Sequence, residues 1–322
     1  MKGMERPKHI FIVNPAAGSR DWTTEIAGAI RAATQQAPID YEILITEAPM
    51  HAVSLVKRMA AQSPDRPLRF YACGGDGTLK EVAEGCLRLQ NAAFTHYPAG
   101  TGNDFIKVFG AAGADRFRSL SELIGGEDIE IDAIETDCGL ALNVLSVGVD
   151  ARVADSMRKY KRIPLVGSQG PYIIATVEEV IKGLARPYRI TVDGQSFDGR
   201  YTLAIAVNGR CYGGGFVPVP ESDVQDGLLD VLLIRAVSRV TAAKVISRYK
   251  AGRYRDYPQY ITALKAREMT IFSTDDRPME INLDGEIVRT GHVSIRVAER
   301  AMRFIVPAGV RPEPWLPRAH KS

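Results

Sequence analysis

Short apolar runs alternate with amphipathic segments over about the first 110 residues of the chain. The apolar runs have the length of buried strands, and the segments between them repeat apolar residues at helical spacing. Parallel strands are joined by crossover helices that cover the sheet, so this alternation indicates a parallel α/β domain. The predicted strands and helices alternate in the order His9–Asn14, Trp22–Thr34, Tyr41–Thr46, Ala52–Ala61, Leu68–Cys73, Thr78–Leu89 and Phe94–Pro98.

The pattern changes after about Ile129, where runs of Val, Ile, Thr and Tyr are separated by Asp-Gly or Gly-rich turns. One such run is Arg189–Val192, which is followed by Asp193 and Gly194. Asp-Gly between alternating strands is a strong hairpin signal, so an antiparallel sandwich or barrel is expected here. Helical insertions are expected at Ala154–Lys161, Gly170–Gly183 and Val237–Gly252.

The predicted class is therefore α/β, with an N-terminal parallel-sheet domain over residues 1–132 and a C-terminal antiparallel β-sandwich domain over residues 133–305. The proline-rich tail, residues 306–322, is expected to pack back on the first domain. The chain has 322 residues, of which 45% are hydrophobic and 25% charged, and this is enough for two cores of ordinary size.

The balance of charges argues against a general polyanion binder. There are 41 Lys and Arg and 38 Asp and Glu, a formal net charge of +3, so nucleic acid is not an expected partner. The four cysteines form no C-x-x-C pair and have no neighbouring histidine at zinc-site spacing. The first residues lack the apolar core of a secretory signal, and no apolar stretch reaches the ~20 residues of a spanning helix. We expect a cytoplasmic protein whose membrane contact is peripheral.

The segment Leu68–Val82 runs from a predicted strand through Gly74–Gly77, which contains Asp76, into a helix. Glycines at such a turn let backbone N–H groups approach phosphate oxygens at a helix N-terminus, and the carboxylate suits Mg²⁺. A purely structural turn with Thr78 as the helix N-cap is the competing interpretation of this segment taken alone.

Two further glycine-bearing loops follow predicted strands, at Asn14–Ser19 and Pro98–Phe105. The carboxyl ends of strands in an open α/β sheet face one crevice, so the three loops are expected to line one phosphate-sized site. The sequence has no G-x-x-x-x-G-K-[ST], and Gly75 and Gly77 lack the third glycine of the Rossmann pattern. A P-loop enzyme or a dehydrogenase is therefore disfavoured.

Four motifs together resemble the diacylglycerol kinase catalytic family, in particular its soluble bacterial lipid kinases. They are Asn14-Pro15 with Gly18, Gly74–Thr78, Pro98–Asp104 and Leu283–Glu286. The resemblance spans nearly the whole chain. It implies a two-domain kinase that transfers the γ-phosphoryl group of ATP, with Mg²⁺, to the hydroxyl of diacylglycerol or a similar lipid.

The resemblance also implies which residues form the site. The nucleotide would contact Asn14, Pro15, Ala16, Ala17, Gly18, Thr46, Gly74, Gly75, Asp76, Gly77, Thr78, Leu79, Lys80 and Thr101. Asp76 would hold the catalytic Mg²⁺, and Asp132 resembles a further family carboxylate near that metal. Asp284 and Glu286 would reach the site from the second domain, with Glu286 favoured over Asp284 as acceptor of the lipid hydroxyl proton. A hairpin turn is the alternative interpretation of Asp284–Glu286, and the two can hold together.

A second Mg²⁺ is held by several bacterial members in a loop similar to Glu221–Asp230 of this chain. The similarity implies Asp223, Asp226 and the carbonyl oxygen of Leu228 as ligands. Without the resemblance, an Asx-type turn is the simpler interpretation of this loop.

The segment Arg158–Val166 contains four cations beside an aromatic and an apolar cluster. Most basic runs are solvated faces. For a substrate dissolved in a bilayer, each cation near anionic lipid would contribute roughly 1 kcal/mol, so we favour docking on an anionic membrane surface. The resemblance also allows a homodimer, because related bacterial enzymes can be dimers.

Two other functions stay open. The first is a kinase of another acceptor, such as phosphatidylglycerol, a sphingoid base or NAD, since NAD kinases share the Gly-Gly-Asp-Gly-Thr motif. The Pro98–Asp104 motif argues against an NAD kinase. The second is a catalytically silent nucleotide or lipid sensor, and the retention of Asp76, Asp132, Asp284 and Glu286 argues against it.

Overall fold

The structure is a computed structural model that describes residues 6–18, 22–36, 38–160, 185–213 and 215–313. The chain divides into two compact units. The first contains Met1–Ala133 and Glu299–Ser322, and the second contains Ile134–Ala298. The domain breaks were predicted after residues 132 and 305, and the second break of the structure falls inside the last strand.

The first unit contains a parallel sheet whose strands alternate with helices. Its elements are β1 (Lys8–Val13), α1 (Thr23–Gln36), β2 (Asp40–Ile45), α2 (His51–Gln62), β3 (Leu68–Gly74), α3 (Asp76–Cys86), β4 (Ala92–Pro98), a 3₁₀ turn (Phe105–Phe109), α4 (Gly110–Arg116), α5 (Leu120–Ile124) and the start of β5 (Glu127–Thr136). The sheet runs in the order β4-β3-β1-β2, and all three pairings are parallel.

The strands of this sheet are apolar because both of their faces are covered. Ile10–Val13 are fully buried, as expected for a central parallel strand. Helix α2 buries the apolar side chains that recur at helical spacing, such as Leu55, Val56 and Met59. A Cβ at Gly85 of α3 would lie 2.7 Å from the Val56 side chain, so glycine allows α2 and α3 to pack closely.

A cluster of aromatic rings in the first unit is completed by the last strand of the chain, β16 (His292–Val306). Phe304 of β16 is fully buried, and its ring centroid lies 5.1 Å from that of Phe105 and 5.2 Å from that of Phe94. Each such pair contributes about 0.5–1.5 kcal/mol beyond its buried area. β16 also pairs in parallel with β4 through Phe304 and Phe94. Beyond it, Glu313 donates its N–H to the Val108 carbonyl at 3.0 Å, so the start of the tail packs on this unit.

The second unit consists mainly of antiparallel strands. Its elements are β6 (Gly139–Ala141), β7 (Val144–Gly148), α6 (Val149–Tyr160), β8 (Arg186–Val192), β9 (Gln195–Ser196), β10 (Gly199–Val207), β11 (Leu229–Arg235), α7 (Arg239–Lys250), a 3₁₀ turn (Tyr254–Asp256), β12 (Ile261–Ala266), β13 (Glu268–Ser273), β14 (Met279–Leu283), β15 (Glu286–Thr290) and the first part of β16. Neighbouring strands pair in the order β15-β14-β7-β10-β8-β13-β16.

Two hydrophobic clusters lie on opposite faces of the central strands of this unit. Along β10, Ala204 and Ala206 belong to one cluster, whereas Leu203, Ile205 and Val207 belong to the other. The second cluster includes side chains of α7, which therefore covers that face. Because both faces are buried, the sequences of these strands are continuous apolar runs and do not alternate between apolar and polar residues.

The predicted α/β class, with a parallel first part and an antiparallel second part, is confirmed. The helices expected at Ala154–Lys161 and Val237–Gly252 correspond to α6, which starts earlier, and to α7. The helix expected at Gly170–Gly183 lies outside the described residues. None of the helices that the structure describes combines the length and the apolar character needed to cross a bilayer.

Candidate active site

The loops after β1, β3 and β4 lie at one edge of the first unit's sheet, because these strands are parallel and adjacent. Asn14 ties the first loop to the second, since its Nδ2 donates to Thr78 Oγ1 at 3.0 Å and its Oδ1 accepts the Ala16 N–H at 2.9 Å. The Ala99 N–H donates to the Gly74 carbonyl at 2.9 Å and joins the second loop to the third. The three glycine-bearing loops are thus in direct contact.

Gly74 and Gly100 in these loops have no room for a side chain. A Cβ at Gly100 would lie 2.5 Å from the Cα of Gly75, and a Cβ at Gly74 would lie 2.3 Å from Thr78 Oγ1. Real Cβ atoms essentially never make contacts this short, so a side chain at Gly100 would push the second and third loops apart. Glycine is required at Gly100 because its neighbour is backbone, which cannot rotate away.

Helix α3 begins at Asp76, with Gly75 as its N-cap, and not at Thr78 as predicted. The first N–H groups of a helix have no partner inside the helix and carry a partial positive charge. Gly77, in the first turn of α3, is exposed, and among the described residues no atom outside its own helix turn lies within 4 Å of its Cβ position. The start of α3 therefore has the form of an anion site with an open side.

Asp76 lies where the second and third loops meet. Its Oδ1 accepts the Asp104 N–H at 2.5 Å, and a Cβ at Gly102 would lie 2.6 Å from its Oδ2. Burial raises the pKa of Asp76, and the neighbouring Asp104 carboxylate raises it further. Asp104 is ion-paired with Lys107. A bound cation beside the two carboxylates would favour the charged form of Asp76.

Asn103 belongs to the Pro98–Asp104 motif, and the sequence alone predicts no role for it. It adopts φ +49°, a left-handed conformation that asparagine tolerates better than most residues. Its Nδ2 donates to the Gly100 carbonyl at 2.8 Å, while its buried Oδ1 has no hydrogen-bond partner among the described residues. A buried acceptor without a donor is costly, and a ligand that brings a donor would satisfy it. The left-handed backbone of Asn103 and its unsatisfied Oδ1 cannot be predicted from the spacing of residues in the sequence.

In the second unit, Asp284 is held by the backbone. Its carboxylate accepts the N–H groups of Leu142 at 2.5 Å, Asn143 at 3.1 Å and Val144 at 2.9 Å, and its own N–H donates to the Val144 carbonyl at 3.2 Å. Asp284 has φ +51° and starts the β14–β15 turn. Its oxygen atoms are used to anchor this turn. Glu286, the first residue of β15, is exposed, so it is the better placed of the two to take a proton from a substrate.

Comparison with protein families identifies both parts of the chain. Residues 8–136 match the family described as "Diacylglycerol kinase catalytic domain", and residues 143–306 match "YegS C-terminal NAD kinase beta sandwich-like domain". The second match alone covers more than half of the 322 residues. The chain belongs to the diacylglycerol kinase family. This confirms the resemblance found in the four motifs.

Relatives of this lipid kinase family member include a Staphylococcus epidermidis protein named "Putative lipid kinase". It is 23% identical over 238 residues, which cover 73% of this chain and 76% of that protein. A crystal structure described as a diacylglycerol kinase from Bacillus anthracis has a TM-score of 0.67 at 21% identity, covering 94% of this chain and 98% of that one. A second structure from the same organism has a TM-score of 0.71 at 22% identity, with the same coverage. These likenesses show a shared fold.

The other predicted nucleotide-site residues of this kinase fall into two groups by exposure. Ala16, Gly18, Gly77 and Thr101 are exposed and can meet a ligand. A buried group consists of Ala17, Thr46, Thr78, Leu79 and Lys80, and Pro15 is half-buried. The Leu79 side chain belongs to the core, and the Thr46 N–H donates to the Val13 carbonyl at 2.9 Å. Leu79 and Thr46 therefore help to hold the loops in place, and nucleotide contact by the buried group stays a prediction.

Asp132, predicted near the catalytic metal, is fully buried in β5. Its Oδ1 accepts the N–H of Arg300 at 2.7 Å, and Arg300 has φ +45° within β16. This contact stabilises an irregularity between two strands. A role of Asp132 near the metal stays a prediction.

In the acidic loop before β11, the two carboxylates predicted to bind a second Mg²⁺ have partners within the protein. Asp223 Oδ1 accepts the Gln225 N–H at 3.0 Å, and Asp226 Oδ1 accepts the Leu228 N–H at 3.0 Å, as in Asx turns. Asp226 Oδ2 accepts from Lys265 Nζ at 2.7 Å, which also contacts Asp230 at 3.3 Å. No group of three or more His, Cys, Asp or Glu among the described residues is arranged to hold a metal. The Lys265 ammonium lies beside Asp226 and Asp230, and a second Mg²⁺ at this loop stays a prediction.

Proposed function

We propose that this kinase transfers the γ-phosphoryl group of ATP to the hydroxyl of diacylglycerol or a related lipid, giving a phospholipid such as phosphatidic acid. The observation that carries the proposal is the contact of three glycine-bearing loops around Asp76. Membership of a kinase family implies ATP as the donor. The exposed Glu286 on a turn anchored by Asp284 supports a proton acceptor in the second unit.

Mg²⁺ fits the residues around Asp76. This ion is usually held by one or two carboxylates, with substrate phosphates and waters as its remaining ligands. Asp76 and Asp104 supply two adjacent carboxylates, so they would hold the ion. When bound, Mg²⁺ neutralises charge on the phosphate oxygens.

The chain's own residues then have distinct tasks. The first N–H groups of α3 bind phosphate oxygens, and the glycines keep the loops close enough for this contact. Asn14 keeps the first loop fixed against α3 through Thr78. Glu286 accepts the proton of the lipid hydroxyl as the oxygen attacks phosphorus. The products are ADP and the phosphorylated lipid.

NAD is the second candidate acceptor, because the family that matches residues 143–306 is described as NAD kinase-like in its β-sandwich. The experiment described below also tests phosphatidylglycerol and a sphingoid base as acceptors, and it tests whether the protein is a silent sensor. We further propose a cytoplasmic enzyme that binds an anionic membrane surface peripherally. The basic segment Arg158–Val166 would supply this contact, but its side chains lie outside the described residues.

The test is a phosphotransfer assay with γ-labelled ATP and Mg²⁺. The acceptors are mixed micelles of diacylglycerol, phosphatidylglycerol, sphingosine or a polyprenol, and soluble NAD. We expect labelled phosphatidic acid from diacylglycerol. Asp76→Asn should lower turnover by at least about 10³-fold while the unfolding midpoint stays close to that of the wild type. Asp115→Asn, an exposed aspartate of α4, is the matched control and should retain activity.

Two results would overturn the proposal. Labelled NADP with no labelled lipid would assign the chain to NAD kinases. ATP binding with no transfer to any acceptor would make it a sensor.

A further inference from the structure

A buried hydrogen-bond network lies behind the turn that carries Glu286. Its centre is Asp150, in the first turn of α6. The residue is partly exposed, but its carboxylate lies among buried partners. Ser146 Oγ donates to Asp150 Oδ2 at 2.9 Å, and the side chains of Tyr212 and Asn282 also hydrogen-bond to this carboxylate.

Asn282 joins this carboxylate to the turn. Its side chain is buried, and its Oδ1 accepts the Gly285 N–H at 2.7 Å. Because Oδ1 is used in this way, the amide Nδ2 is the atom that donates to Asp150. Asn282 also lies directly opposite Ser146 in the β14–β7 pairing, so both donors reach Asp150 from adjacent strands.

The network continues away from the turn. Tyr212 and Tyr249 of α7 are both buried, and their hydroxyl oxygens lie 2.8 Å apart. Since the Tyr212 hydroxyl donates to Asp150, it accepts from Tyr249. Burial raises the pKa of Asp150, while the three donors favour its charged form. A buried acceptor that organises several donors makes a rigid unit, because each partner fixes the orientation of the others.

We propose that Asp150 is a positioning residue for phosphoryl transfer: through Asn282 it fixes the Gly285 amide, and thereby the direction in which Glu286 leaves the turn. Gly285 has φ +95°, so this peptide has access to conformations closed to other residues, and the Asn282 contact selects one of them. The inference rests on the proposed function of Glu286. It deepens that function by adding a residue that does not touch the substrate.

The first test measures steady-state kinetics at a temperature well below the unfolding midpoint of each variant. Asp150→Asn keeps the shape of the side chain but replaces the carboxylate, which accepts from three donors, with an amide. We expect kcat to fall about 10- to 100-fold, as for a small misplacement of a catalytic group, with KM for ATP unchanged. The swap Asp150→Asn with Asn282→Asp restores one donor and one acceptor and should recover most of the lost kcat.

A double-mutant cycle separates positioning from general loss of structure. If Asp150 acts through Glu286, Asp150→Asn should have little further effect on kcat in a Glu286→Gln background. An equal loss in both backgrounds would overturn the proposal, and so would an unchanged kcat in the single variant. Asp115→Asn is again the matched control.

The second test does not depend on activity. Amide hydrogen exchange of Gly285, measured by NMR, should become at least about tenfold faster in Asp150→Asn than in the wild type, because local opening becomes easier. An unchanged exchange rate would overturn the proposal whatever the substrate is. Faster exchange in a protein that phosphorylates no lipid would support the control of the turn by Asp150 and refute the proposed reaction.

Discussion

Two Asp-Gly turns of the second unit have nearly the same backbone and different surroundings. Asp193 and Asp284 have φ +42° and +51°, and the glycines after them have φ +80° and +95°. Each carboxylate accepts backbone N–H groups from a segment distant in sequence. For Asp193 these belong to Arg267, at 3.0 Å, and Glu268, at 2.9 Å.

The comparison shows that the aspartate of such a turn is structural in both places. What differs is the next residue, Gln195 in one turn and Glu286 in the other, and the support given to the glycine amide by Asn282. A third Asp-Gly, at Asp226, uses its carboxylate for a different purpose again, an ion pair with Lys265. The function of an Asp-Gly turn therefore depends on the residues that contact it and follow it, and not on the Asp-Gly sequence itself.

The largest expected effect comes from the residue that distinguishes the two turns. Glu286→Gln should lower kcat for lipid phosphorylation about 10²- to 10⁴-fold, because an amide cannot accept the hydroxyl proton. The unfolding midpoint should not change, since Glu286 is exposed. Glu268→Gln, an exposed glutamate of β13, is the control for activity. A Glu286→Gln enzyme with normal kcat would place the base elsewhere.

The second-largest expected effect is on stability, and it compares Asp284 with Asp193 directly. Asp284→Asn should lower the free energy of unfolding by about 2–3 kcal/mol, since hydrogen bonds to a charged acceptor are lost while asparagine still tolerates the left-handed backbone. Asp193→Asn should cost about 1 kcal/mol, because its carboxylate is exposed and solvated. Urea unfolding measures both.

The two variants are also expected to differ in activity. Asp284→Asn should also reduce kcat because it loosens the turn under Glu286, whereas Asp193→Asn should leave kcat unchanged. Equal effects of the two variants on stability and activity would remove the distinction between the turns.

The smallest effect concerns the third Asp-Gly. Lys265→Met should cost about 1 kcal/mol or less, because the ion pair with Asp226 is partly exposed. The wild-type unfolding midpoint should not rise with Mg²⁺ in the absence of nucleotide, whereas that of Lys265→Met should, since two carboxylates then lack a cation. A Mg²⁺-dependent rise in the wild type that Asp226→Asn abolishes would restore the metal site that the resemblance implied.

Much of the first unit could be predicted because its signals are local. The strands were visible as short apolar runs and the loops as glycines that follow them, and the parallel topology brings such loops to one edge. Helix α3 starts at Asp76, two residues before the predicted start at Thr78, and its N-cap is Gly75. A glycine N-cap leaves little trace in a sequence.

The parts that could not be predicted depend on contacts between distant residues. Asp284 and the backbone N–H groups that donate to it are about 140 residues apart in sequence. Lys265 lies beside Asp230 because the β11–β12 register places the two residues opposite each other. The role of Asp150 could not be predicted for the same reason, since its hydrogen-bond partners lie on β7, on β14 and in the loop that contains Tyr212. Residue types suggest a carboxylate's possible tasks, but only register and burial assign one.

The position of Phe304 has a consequence for synthesis on the ribosome. Translation delivers β1–β5 first and β16 last, so the ring cluster around Phe94 and Phe105 stays incomplete until the whole second unit has been made. Domains generally fold in the order in which they emerge. Here the segment from Ile134 to Ala298 can mature first, and the amino-terminal half, although it is translated earliest, is the last to reach its final packing.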